Sequence, residues 1–128
     1  MKKILIIDDD RNLQKTISGI LRKEGYNVIS AVDGMQGVMF AHRNSPDLVI
    51  LDYSMPAGDG LSVAHKIKLS VKTQDTPIVV YSGRHIEELR EELLPEGITE
   101  FVQKPDMEEL LKKMIVSQMC ALMEQLST

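Results

Sequence analysis

Five short, almost uninterrupted apolar runs punctuate the chain at residues 4–7 (ILII), 26–32 (YNVISAV), 47–51 (DLVIL), 77–82 (PIVVYS) and 99–103 (TEFVQ). Each has the length of one strand, and most are rich in β-branched residues. Between them lie longer stretches with helical spacing. The clearest places Leu13, Ile17, Ile20 and Leu21 on one face, with Gly25 positioned to stop the helix. Further helical patterns begin after Asp33, near Gly60, near Ile86 and at Asp106. Strands that are apolar throughout, rather than at alternate positions, are buried on both faces, and strand and helix taken in turn build a parallel sheet with helices on either side. The expectation is one α/β domain: a doubly wound sheet of five strands with five helices. In open sheets of this kind ligands bind beyond the carboxyl ends of the strands.

Those ends carry the residues of chemical interest. Asp8, Asp9 and Asp10 follow the first run and Asp52 follows the third. If the two strands are neighbours, their carboxylates converge, and like charges at that range repel until one binds a proton or a cation intervenes. A hard divalent cation such as magnesium, which takes oxygen ligands and keeps several waters, meets that need. Ser82 closes the fourth run beside Gly83, which has no side chain to block access, and Lys104 closes the fifth. Alone, each reads more readily as an exposed turn residue. Together, acids, Asp52, Ser82 and Lys104 end four strands in one register, which independent turns would not produce.

Composition narrows the function further. With 128 residues, 43% of them hydrophobic and 27% charged, the chain has the makeup of one ordinary globular domain, without repeats or a linker to a second. A formal charge of -4 disfavours a direct nucleic-acid surface. The single cysteine, Cys120, cannot form an internal disulfide, and no Cys/His cluster has zinc-ligand spacing. No run reaches membrane-spanning length, and the opening MKKILIIDDD ends in acids as no signal peptide does, so a cytoplasmic protein is expected.

With these residues in place, the sequence resembles the receiver domain of bacterial two-component response regulators from Lys3 to about Ile115. The resemblance implies a flavodoxin-like sheet of order 2-1-3-4-5. It also implies a domain that is no conventional enzyme: it takes a phosphoryl group from a sensor histidine kinase, or from a small phosphodonor, and then switches its contact with a downstream protein target. By motif position the phosphoacceptor is Asp52. Asp8, Asp9 and Asp52 hold magnesium, with Asp9 the direct ligand of the acidic pair and the Ser54 backbone carbonyl completing the set. Ser82 and Lys104 contact the phosphoryl oxygens, and Phe101 occupies the aromatic switch position without the hydroxyl that many relatives carry. Arg84 and Ser54 flank the site and tune the lifetime of the phosphoryl group, while Pro95 and Ile98 imply a reshaped output face. Lys104-Pro105 is expected to be cis, and His42, His65 and His85 are expected at the surface.

Two other readings stand beside this one. A pseudo-receiver would bind partners without phosphorylation, although every marker residue is present. A phosphatase of the haloacid dehalogenase type needs a second acid two residues after its nucleophile, where this chain has Ser54. Beyond the core pattern, a last helix over about 106–126 is expected to overhang the sheet. Its second half is apolar almost all round, including Met119, Leu122 and Met123, and suits a homodimer or a target contact.

Overall fold

A computed structural model describes residues 2–53, 60–83, 86–98 and 100–104. Its strands are β1 (Lys3–Ile7), β2 (Asn27–Ala31), β3 (Leu48–Leu51), β4 (Ile78–Ser82) and β5 (Glu100–Gln103), all parallel and ordered β2-β1-β3-β4-β5. The helices are α1 (Arg11–Lys23), α2 (Gly34–Asn44), α3 (Gly60–Leu69) and α4 (Ile86–Leu93), the last followed by a 3-10 turn at Leu94–Glu96. The expected strands all form, with ends that differ by one residue or so from the apolar runs. The fifth helix of the expectation, the Lys104-Pro105 bond and the extension over 106–126 lie outside the described residues.

The side-chain period of two along each strand divides the core between two faces. Ile4, Ile6, Leu48, Ile50, Val79, Tyr81 and Val102 form one cluster, joined by Ile17 and Leu21 of α1. Leu5, Ile7, Val49, Leu51 and Val80 form the other, covered by Ala41 of α2, Val63, Ala64 and Ile67 of α3, and Leu89 and Leu93 of α4. Four consecutive buried residues in β1 are thereby explained: odd and even positions serve different layers. Ile20, expected on the buried face of α1, sits at its margin, whereas Ser18 and Gln14 are buried.

Local chemistry starts and stops the helices. Asp10 is the N-cap of α1, its Oδ1 accepting from the backbone N–H of Asn12 and Leu13 at 3.1 and 3.0 Å. Asp33 caps α2 by accepting from Gln36 N–H at 2.8 Å, and Gln36 returns its Oε1 to Val32 N–H at 3.0 Å. Gly25, at φ 93°, turns the chain from α1 into β2, a conformation that side chains with a Cβ resist. Pro95 lies in the 3-10 turn, and Gly97, at φ 82°, closes it. Ile98 is buried with Leu89, Leu93 and Phe101, so its bulk goes into the core rather than onto the output face.

Two glycines separate space from propensity. A Cβ on Gly60, the first residue of α3, would lie 2.8 Å from Tyr53 Cα and still closer to the Tyr53 ring, whereas one on Gly19 in α1 would meet nothing within 4 Å. Gly19→Ala should therefore raise stability by about 0.5–1 kcal/mol through helix propensity. Gly60→Ala should lower it by about 1–3 kcal/mol because backbone has to move. Urea melts of the two variants check both signs.

Candidate functional site

The carboxyl ends of β1, β3, β4 and β5 meet at one edge of the sheet, and backbone hydrogen bonds align them. Asp8 N–H donates to Ala31 O at 3.0 Å, Asp52 N–H to Ile7 O at 2.9 Å, and Lys104 N–H to Ser82 O at 2.9 Å. Each donor is the residue just past a strand, so the ladder carries its register one step into the site. Side chains at these positions inherit the rigidity of the core beneath them.

Asp8 and Asp52 are buried, at 2% and 4% exposure, while Asp9 is exposed. One carboxylate oxygen from each of the three lies within 4.8 Å of the others. Lys104 reaches across from β5, its Nζ 3.0 Å from Asp8 Oδ2 and 3.6 Å from Asp52 Oδ2. The ammonium also lies 5.8 Å from the centroid of the Tyr81 ring. Ser82 is fully buried at the end of β4. The fold thus gathers Asp8, Asp9, Asp52, Ser82 and Lys104 from four strands. Ser54 and Arg84 lie outside the described residues.

Burial pushes the Asp8 carboxyl above its ordinary value, and the charge of Asp52 pushes the same way. The Asp10 N–H, donating to Asp8 Oδ1 at 2.9 Å, and the Lys104 ammonium oppose this without cancelling it. Lys104 is displaced upward as well. Burial alone would lower it, but the hydrogen bond to Asp8 and the charge of Asp52 outweigh that cost. Repulsion among the acids is therefore only partly relieved by Lys104. Three converging carboxylates, two of them buried, form the hard oxygen donor set that a divalent cation with retained waters would satisfy.

Around the acids the structure adds three residues that sequence reasoning passed over. Asp10, to which the sequence reading gave no role, caps α1 and holds the Asp8 carboxylate through its N–H; an Asp just before an apolar helical pattern was the available signal. Gln14 donates through Nε2 to the carbonyls of Asp8 at 2.8 Å and Ala31 at 2.5 Å, which no spacing rule reveals. Tyr53, next to Asp52, is buried and its hydroxyl donates to Glu92 Oε2 of α4. Gly83 has open space about it, so packing does not demand a glycine there. Phe101 is 6% exposed, set against α4 with the Arg90 guanidinium 5.7 Å from its ring centroid. His65 is exposed and pairs with Glu96 at 2.9 Å, His42 is half-buried, and His85 lies outside the described residues.

A family profile described as the response regulator receiver domain matches residues 4–115, nearly the whole length. The chain belongs to that family. As a receiver domain it is a phosphorylation-controlled signalling module of two-component systems. Among curated relatives it is 33% identical over 114 residues to the DNA-binding dual master transcriptional regulator RpaA of a Synechocystis strain, covering 88% of this chain and 47% of RpaA. It is 35% identical over 113 residues to the response regulator MprA of a Mycobacterium strain, covering 88% of this chain and 48% of MprA. The receiver domain described here thus spans about half the length of these relatives. Among solved structures, the chemotaxis protein CheY4 of Vibrio cholerae superposes with a TM-score of 0.86 at 28% identity, over 91% of this chain and 98% of CheY4. The receiver domain of the sensor histidine kinase PA1611 from Pseudomonas aeruginosa, which has a magnesium ion coordinated in its active site cleft, gives a TM-score of 0.79 at 28% identity, over 88% and 93% of the two chains. Among the described residues of the receiver domain, no helix is long and apolar enough to cross a membrane.

The raised Asp8 carboxyl has a thermodynamic consequence with a definite sign. A folded state that holds this proton more tightly than the unfolded chain gains stability at low pH and loses it as pH rises from the ordinary value of 3.8 through the folded one. In metal-free buffer, Asp8→Asn should therefore melt above the wild type at neutral pH, and the gap should close as pH falls below 3.8. Thermal melts of both proteins across that range provide the check. A variant that melts below the wild type at neutral pH would contradict the sign.

Proposed function

We propose that Asp52 is the phosphoacceptor of this receiver domain, charged by a sensor histidine kinase or a small phosphodonor, and that Asp8, Asp9 and Asp52 hold Mg2+ for the transfer. The observation that supports this best is the position of Lys104, within 3.0 Å of Asp8 and 3.6 Å of Asp52, opposite an acid set whose repulsion it does not fully relieve. When bound, magnesium supplies positive charge to the phosphoryl oxygens and to the acids together.

The residues of the chain divide the remaining work. Asp52 Oδ attacks phosphorus, forming the acyl phosphate bond as the bond to the donor breaks, and the electron pair leaves with the donor group. Attack by a carboxylate oxygen releases no proton, so the step needs no general base. Phosphoryl transfer depends mainly on positioning and on neutralising charge spread over three oxygens. Lys104, held by the β5 backbone, provides one fixed cation for that charge, and the Ser82 hydroxyl at the end of β4 provides a donor. Burial of Asp52 on a core strand removes the reorganisation that an exposed carboxylate would need. The Ser54 carbonyl completes the metal set in this reading, and Arg84 with Gly83 borders the phosphoryl group.

Output follows from the same geometry. Phe101 packs under α4 and carries no hydroxyl, so the change that Asp52 and Ser82 transmit runs through ring packing against Leu89 and Leu93. The partners inferred are the kinase and a downstream protein target. The extension over 106–126 is assigned to the same domain as a contact helix for the target or a second copy, and the domain itself contacts neither nucleic acid nor membrane and works in the cytoplasm.

Asp52→Asn should abolish labelling by acetyl phosphate or beryllium fluoride while leaving the melting transition cooperative. Lys104→Met should retain the fold and slow labelling by roughly 10²-fold or more, the usual cost of deleting one preorganised donor. Labelling that persists in Asp52→Asn, followed by intact-mass spectrometry, would place the acceptor elsewhere.

A further inference from the structure

On the face of the sheet opposite α1, a groove of about 550 Å³ lies between α2 and α3. Met35, Val38 and Met39 line one wall, and Ser62, Val63 and Lys66 the other. The core beneath holds both walls in place. A Cβ on Gly37 would lie 2.6 Å from Ile7 Cδ1, so α2 is seated directly on β1, while Val63, Ala64 and Ile67 anchor α3. Gly34, Gly37 and Ala41 supply the buried contacts of α2. Met35 and Met39 are left outside them, at 83% and 43% exposure. Apolar side chains exposed singly need no explanation, but these two stand one turn apart on the same helix and border the same groove.

Charge supplies the second, independent observation. The chain carries a net -4, and α4 bears Glu87, Glu88, Glu91 and Glu92. Neither α2 nor α3 contains an acid. Cations in a last turn suit the helix dipole, but acids in a first turn would suit it equally, and both helices lack them. Arg43 continues the Met35–Met39 row by one more turn, and Lys66 faces the row from α3. Both cations are exposed, and among the described residues neither forms an ion pair. Asp33, the acid at the groove's end, is engaged as the cap of α2, accepting from Gln36 N–H at 2.8 Å.

We propose that the groove between α2 and α3 docks an acidic amphipathic helix of a partner protein. The backbone groups of both walls are spent inside their own helices, so an extended segment finds nothing to pair with. The occupant has to bring a backbone that is already satisfied and make contact through side chains alone, which a helix does. Its apolar stripe meets the methionines, whose unbranched side chains adapt to the shape presented. Its acids meet Arg43 and Lys66. A two-fold contact with a second copy would instead set these cations against their own counterparts. A flat bilayer would touch only the rims of a concave surface. The groove shares no residue with the Asp52 site or with the packing of Phe101 against α4, so its occupancy is testable without phosphorylation.

The probe is a synthetic helical peptide of about 16 residues, long enough to span the three turns of α2, with leucines at i, i+4 and i+7 and glutamates beside them. A control peptide carries lysine in place of each glutamate. Each is titrated into the full chain at physiological ionic strength, without a phosphodonor, while the methyl NMR signals of Met35 and Met39 are followed. The acidic peptide should move both signals saturably, and the basic peptide should bind at least about tenfold more weakly. Met35→Gln with Met39→Gln, at exposed positions, should weaken the acidic peptide by about tenfold or more. Arg43→Glu with Lys66→Glu should reverse the preference between the peptides, a result that loss of folding cannot imitate. Equal binding of the two peptides, no binding of either, or affinity that survives the substitutions would overturn the proposal. Self-association of the wild type that the double methionine variant loses in sedimentation would overturn it in favour of a second copy. Flotation with vesicles of anionic phospholipid, lost in the same variant, would overturn it in favour of a membrane surface.

Discussion

Repulsion among Asp8, Asp9 and Asp52 is the constraint around which this molecule is arranged. Solvated carboxylates would drift apart, but here two of the three are buried at the ends of adjacent core strands, and the backbone ladder prevents their separation. The strain is lessened by Lys104 from β5 and by the Asp10 N–H from the start of α1. Burial still keeps the Asp8 carboxyl above its ordinary range. A site left short of positive charge in this way is poised for a cation, and its rigidity comes from the same apolar runs that form the sheet.

That rigidity extends outward through a few polar links. Gln14 ties the Asp8 carbonyl to the end of β2, and Asp10 ties the acid cluster to the N-terminus of α1. On the opposite face Tyr53, the residue after Asp52, is tied through its hydroxyl to Glu92 of α4, with Gly60 packed so closely on Tyr53 that only hydrogen fits. Phe101 fills the space between β5 and α4. Through these contacts a change of charge at Asp52 has short, packed routes to two helices, one on each side of the sheet. Close packing favours discrete rearrangements over gradual deformation.

Much of this was legible in the residues themselves. Runs such as ILII and LVIL read as strands buried on both faces because they are short, uninterrupted and rich in branched residues, and Gly25 marked the end of α1 because a positive φ suits glycine. Acids, Ser82 and Lys104 at strand ends pointed to one shared edge. Less legible were residues whose importance rests on distant partners. Gln14 reads as an ordinary helix residue, yet it is buried because Ala31 and Asp8 present carbonyls to it. Ile98 looked like an alteration of the surface, but the turn at Gly97 directs it into the core.

The sequence by itself determined the element order, the parallel sheet and the set of residues brought to its edge, because side-chain period and local backbone preference are properties of short segments. Only the tertiary structure decided that Lys104 stands between Asp8 and Asp52, that burial raises the Asp8 carboxyl above its ordinary value, and that Gln14 is buried against the carbonyls of Asp8 and Ala31. These depend on desolvation and on distances between segments far apart in the chain, and neither quantity exists until the strands have aligned.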